Sequence, residues 1–122
     1  MAWKVVFHDA FHVEFVVLPE NTQDQMASVF VALREFGPQL SRPQADTLKG
    51  SRFANMKELR VSAQDGEWRV AYAFDPARRP ILLVAGNKSG MSSSLFYRRL
   101  IRIAERRFEQ SLQEMGNRRS KT

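Results

Sequence analysis

The sequence predicts an α+β domain, with two N-terminal helices and a C-terminal helix packed on a twisted antiparallel sheet of about four strands. Three patterns carry that expectation. Apolar residues recur at helical spacing between Phe11 and Phe36, alternating runs broken by turn residues fill 57–86, and a second helical stripe starts near Ser94.

The elements follow in order. Trp3 to Phe7 makes a short strand, and Phe11, Phe15 and Leu18 place a first helix from about Asp9 to Leu18. Pro19 ends that helix or opens the next, because proline fits a first turn but not a helix interior. The second helix carries Met26, Val29, Phe30, Leu33 and Phe36 on one stripe and stops at Gly37-Pro38. Gln39 to Asn55 holds no sustained period, contains Pro43 and Gly50, and reads as a connector bearing Arg42, Lys49 and Arg52. Strands are expected at about Lys57–Ala63, 68–75 and Ile81–Gly86, joined by Gln64-Asp65-Gly66-Glu67 and by Asp75-Pro76-Ala77-Arg78-Arg79-Pro80. A mobile Gly/Ser-rich loop then leads to a helix with Tyr97, Leu100, Ala104 and Phe108 inward and Arg98, Arg99, Arg102 and Arg106 outward. The expected domain spans 1–115, and 116–122 reads as a disordered basic tail.

Composition narrows the function. The chain has no cysteine, so disulfides and thiolate zinc sites are excluded, and no window approaches 18 uninterrupted apolar residues. A soluble protein of a reducing compartment is expected, with no membrane partner. The net charge of +6 is unevenly spread: residues 1–41 hold two basic side chains against five acidic ones, whereas 42–122 carry a balance of +9. That asymmetry points to a polyanion, nucleic acid first, since cations gain affinity there by releasing counterions.

No phosphate-cradling glycine loop is present, because Gly86-Asn87-Lys88-Ser89-Gly90 is too short. His8 and His12 lie four apart without a third ligand signalled, so no metal and no cofactor are expected. What remains is a basic and tyrosyl set. In strand phase Arg60 and Arg69 share a face with Ala71 and Ala73, which would leave a shallow concavity on a sheet face free of helices, with Lys88 from the next strand beside it. Each residue also has a plain reading, as a solubilising arginine or a boundary tyrosine. Together they suit a phosphodiester: guanidinium groups neutralise a pentavalent phosphate, and Lys57, Lys88 or Tyr97, their ionisation pushed down by neighbouring cations, could exchange protons. Glu58 is a further candidate base, with an ion pair to Arg60 as its alternative.

These residues also carry a resemblance. "DTLKGSRFANMKELR" (46–60), "WRVAYAFDP" (68–76), "ILLVAGNKSG" (81–90), "FYRRLIRIAERRFEQSL" (96–112) and "FGPQLSRP" (36–43) resemble the HigB-like, phage-derived branch of the RelE/ParE toxin superfamily. The resemblance implies the compact toxin fold and the toxin half of a type II toxin–antitoxin pair. It implies a ribosome-dependent endoribonuclease that cuts mRNA in the cytoplasm by metal-independent attack of the 2′-OH, inhibiting translation. Its implied partners are the ribosome with mRNA and a helix-turn-helix, HigA-like antitoxin, with which it would form a hetero-oligomer. By position, Arg60 and Arg69 resemble phosphate-binding residues, Lys88 a residue near the leaving group, and Tyr97 a tyrosine that orients or deprotonates the nucleophile. Lys49, Arg52, Lys57 and Arg98 look like RNA contacts. Two departures are the missing C-terminal histidine of some relatives and the long "SGMSSSLFY" loop. The rival readings are a ParE-like gyrase poison and a catalytically silent remnant that binds antitoxin.

Overall fold

A computed structural model describes residues 2–120, with side chains through residue 117. The elements are β1 (Val6–Phe7), α1 (Asp9–Phe15), α2 (Glu20–Phe36), a 3₁₀ turn (Gly37–Gln39), β2 (Ala45–Thr47), β3 (Lys57–Ala63), β4 (Gly66–Phe74), β5 (Pro80–Asn87) and α3 (Ser93–Ser120). The expected meander is present, and two short strands extend it. The sheet runs β1-β5-β4-β3-β2, with β2, β3, β4 and β5 antiparallel and β1 parallel to β5. It is therefore five-stranded and mixed, where about four antiparallel strands were expected.

Helices cover both faces. On one side the inward stripe of α2, Met26, Phe30 and Leu33, meets Leu59, Val61, Val70, Tyr72 and Leu82, with Phe11 of α1 beside them. On the other, Phe96, Leu100, Ala104 and Phe108 of α3 lie on Ala71, Ala73, Ile81, Leu83 and Val84. This corrects the expectation of a free sheet face. Ala71 and Ala73 are fully buried, and their small side chains let α3 approach the sheet closely. Gly86 serves the same contact, because a Cβ there would stand 2.9 Å from the Phe96 ring. A bulge at Ala71/Tyr72 turns Leu83 and Val84 in succession toward α3.

Local chemistry sets the boundaries. His8 caps α1, its Nδ1 accepting from Ala10 N at 3.1 Å, and Nε2 lies 3.1 Å from Gln110 Oε1 of α3. The helix ends at Phe15, short of the expected Leu18, and Gln23 donates to the carbonyls of Val16 and Leu18 that the break releases. Gly37 ends α2 at φ +55°, where a Cβ would lie 2.3 Å from the Trp3 indole nitrogen. Further ties fix α3 to the rest. Arg107 grips Glu14 of α1 with both terminal nitrogens, at 2.6 and 2.8 Å, and donates to Leu83 O. Arg52 bonds Glu109 at 2.7 Å. The helix continues through Ser120, past the expected domain end at Met115, because an interior glycine such as Gly116 costs only about 1 kcal/mol without a left-handed cap to stop the turn. Residues 121 and 122 of the expected tail lie outside the described residues. Among the described residues no helix is long and apolar enough to cross a membrane.

Candidate active site

The β3–β4 hairpin builds the site. Ala63 pairs with Gly66 across a two-residue turn, which fixes the register so that Arg60 stands directly opposite Arg69. A slip of one residue would send the two arginines to opposite faces. The hairpin tip is locked from both sides. Asp65 Oδ1 accepts from Thr22 Oγ1 at 2.8 Å and from Trp68 Nε1 at 2.9 Å, and those two hydrogen bonds hold its carboxyl below the usual range. On the other side Lys88 N donates to Glu67 O at 2.7 Å, and Asn87 Nδ2 donates to Asp65 O at 2.7 Å. The segment bearing Lys88, expected to be mobile from Asn87 onward, is thus sewn to the hairpin.

Four of the expected residues converge where the N-terminal turns of α3 meet β3, β4 and β5. Lys88 Nζ lies 5.4 Å from the centroid of the Tyr97 ring, a cation–π contact. Glu58, Arg60, Tyr97 and Lys49 line one cleft of about 230 Å³, together with Arg42 and Asp46. That volume is below the range of about 300–1,000 Å³ usual for small-molecule pockets and suits one linkage of a longer polymer. Larger clefts lie elsewhere, such as one of about 770 Å³ bounded by Trp3, Phe36 and Arg78. They hold none of the converging set, so chemistry rather than size selects the site.

The two arginines differ in how much of their hydrogen-bonding capacity is already used. Arg60 Nε meets Glu58 Oε2 at 3.2 Å, and its terminal nitrogen meets Asp46 Oδ2 at 3.3 Å. Asp46 is held below the usual carboxylate range by the Thr47 backbone N–H and by Arg42, with Arg60 adding to the effect. Arg69 has no carboxylate within ion-pairing distance among the described residues. It donates to Trp68 O at 3.0 Å, and its buried Nε has no hydrogen-bond partner there. Like charges opposite each other in a ladder destabilise a sheet, so an anion that bridges them is favoured.

Tyr97 departs from expectation. Burial, and next the Glu58 carboxylate, raise its phenol above the ordinary value, while Arg69 pulls it down. Desolvation and the carboxylate outweigh the cations, so Tyr97 is a neutral hydroxyl near pH 7 and not an easily formed phenolate.

The other expected residues scatter. Lys57 lies on the face of Leu59 and Val61, beside Leu40 and Ser41, and does not join the cluster. Arg52 is drawn to Glu105 and Glu109 and stacks on Phe53 at 4.5 Å. Arg98 is exposed on α3. Arg42 was expected only as a basic residue of the connector and Asp46 had no sequence signal, since the three-residue strand in that unpatterned segment was not expected.

Comparisons with known proteins give the family and the fold. The family described as phage derived protein Gp49-like matches residues 13–109. The chain belongs to the Gp49-like family. Two relatives from Mycobacterium tuberculosis agree with the HigB-like branch of the sequence reading. A protein named as toxin HigB2 is 39% identical over 105 residues, 85% of this chain and 52% of its own length. One named as toxin HigB3 is 44% identical over 90 residues, 71% of this chain and 76% of its own. The chain thus spans about half the length of the HigB2 relative. A double-arginine variant of the Escherichia coli toxin RelE in the free state superposes with a TM-score of 0.61 at 15% identity, covering 88% of this chain and 98% of that one. The Gp49-like chain therefore has the RelE fold.

Proposed function

We propose that this Gp49-like chain is the toxin half of a type II toxin–antitoxin pair and an endoribonuclease that cuts mRNA on the ribosome. The observation that carries the reading is the convergence of Arg60, Arg69, Lys88 and Tyr97 at one rim of the sheet, with Arg69 held by no carboxylate and its Nε without a partner among the described residues. The names of the HigB relatives support the toxin role. A HigA-like helix-turn-helix antitoxin is the proposed partner, in a hetero-oligomer, and the cytoplasm, where mRNA is translated, is the proposed location.

In the proposed reaction the substrate's 2′-oxygen forms a bond to phosphorus while the bond from phosphorus to the 5′-oxygen breaks, with no metal needed. Arg69, assisted by Arg60, faces the charge that grows on the pentavalent phosphate, where preorganised donors act most strongly. The Lys88 ammonium gives its proton to the departing 5′-oxygen. Tyr97 orients the 2′-hydroxyl. Lys49 guides the RNA backbone at the cleft mouth, and Arg52, Lys57 and Arg98 act farther out. A ribosome holding the codon supplies the positioning that so shallow a cleft does not.

The test is cleavage of mRNA on purified, programmed ribosomes. Wild-type chain should leave 2′,3′-cyclic phosphate and 5′-hydroxyl ends only when ribosomes are present. Intact mRNA, or trapped gyrase–DNA breaks in its place, would overturn the reading and in the second case favour the gyrase poison.

A further inference from the structure

Glu58 is an unusual neighbour for a set of cations that must bind an anion. Only 3% of the residue is exposed, yet one carboxylate oxygen is uncommitted: Oε2 accepts from Arg60, while Oε1 is buried with no hydrogen-bond partner among the described residues. A buried carboxylate loses several kcal/mol of hydration, which partners on both oxygens normally offset. Asp46, the other carboxylate of the cleft, has its oxygens committed to Arg42, Arg60 and the Thr47 N–H. Glu58 and Tyr97 line the same cleft, and Tyr97's ionisation responds to Glu58 more than to Arg69. Glu58 therefore shares its cleft with a hydroxyl that stays protonated and needs somewhere to send its proton.

We propose that Glu58 is the proton acceptor behind Tyr97, making the pair a relay from the substrate's 2′-hydroxyl to a carboxylate sequestered from solvent. The inference rests on the nuclease reading. As the 2′-oxygen bonds to phosphorus, its proton passes to the Tyr97 oxygen, and the Tyr97 proton passes to Glu58 Oε1. Lys88 supplies a proton to the 5′-oxygen, so the step ends with Glu58 protonated and Lys88 neutral, and exchange with solvent restores both. Arg60, bonded to Oε2, holds the carboxylate in place. Glu58 never touches the RNA, so it is a positioning residue that acts through Tyr97.

Two measurements on the full chain test this. Tyr72 is the other tyrosine, so in a Tyr72→Phe background ultraviolet titration reads Tyr97 directly. Glu58→Gln keeps an acceptor for Arg60 while removing the charge, and should lower the Tyr97 titration midpoint. On programmed ribosomes the same substitution should slow single-turnover cleavage about 100-fold with ribosome affinity unchanged. Tyr97→Phe should match it, and the double variant should be no worse than either single one, because the residues act as a unit. Glu58→Asp should recover part of the rate. An unmoved Tyr97 titration, or additive losses in the double variant, overturns the relay even where wild-type chain cuts mRNA. A wild-type chain that shows the Tyr97 shift but cuts nothing refutes the nuclease reading, and the relay falls with it while the Glu58–Tyr97 coupling stands.

Discussion

Arg69→Ala separates function from stability in a way that follows from its surroundings. Its guanidinium faces Arg60 across the ladder, lacks a carboxylate among the described residues and buries a nitrogen without a partner. Truncation relieves a like-charge opposition of about 0.2–1 kcal/mol. It also removes an unsatisfied buried donor, worth about 1–3 kcal/mol, although the partial exposure of Arg69 places the gain at the low end. Against these stands the loss of the aliphatic stem's packing, about 1–2 kcal/mol. The terms nearly cancel, so the variant should melt within about 5 °C of wild type. Cleavage, in contrast, should fall by about 10²–10³, equivalent to about 2.7–4 kcal/mol of transition-state stabilisation. Calorimetry and single-turnover kinetics on one preparation read both numbers. A melting point lowered by more than about 10 °C, or cleavage within about 5-fold of wild type, would refute the assignment of Arg69 as an uncommitted anion binder.

Three further outcomes are expected. Tyr72→Phe removes a fully buried hydroxyl that has no partner among the described residues, and chemical denaturation should show stability unchanged or raised by up to about 1 kcal/mol. Gly37→Ala places a methyl group against the Trp3 indole at a left-handed backbone position, and should cost about 2–4 kcal/mol by the same measurement. Asp65 has a folded ionisation held below its ordinary value of about 3.9, so its contribution is fully present above that pH and is lost as pH falls through the folded value. Asp65→Asn should accordingly flatten the acid limb of the stability–pH curve below about pH 4, and an unchanged limb would show that Thr22 and Trp68 do not tie the hairpin through that carboxylate.

The hairpin and its arginines were legible because two local signals agree. Alternation puts Arg60 and Arg69 on faces set by their neighbours, and Asp65-Gly66 fixes the turn that makes them opposite. The α2 stripe was equally plain through Met26, Phe30 and Leu33, as was its glycine stop, but Phe36, expected on the same stripe, is 58% exposed at the helix end. Parity also separated Lys57 from Arg60, three positions apart on a strand, although grouping by charge obscured it. Other features had no local signature. The three residues of β2 are too short to show a period, so the Arg42–Asp46 wall was hidden, and although a strand was expected at Trp3–Phe7, nothing local shows that Val6 and Phe7 pair in parallel with β5. Ala71 and Ala73 were read as a cleared seat for substrate, yet small residues on a sheet equally mark a closely packed helix, and α3 lies there. The site is therefore the rim where that cover begins. Tyr97 needed three dimensions, since the upward push from burial and Glu58 depends on side chains that come together from β3 and α3.

Convergent cations at this rim are proposed to cut RNA held by a ribosome. Mapping transcript 5′ ends after induction of the chain without an antitoxin tests it most directly. New 5′-hydroxyl ends should cluster within translated codons, and should be lost when translation is blocked and lost with Arg69→Ala. New ends that persist without translation, or growth arrest by the Arg69→Ala chain equal to wild type, would contradict it.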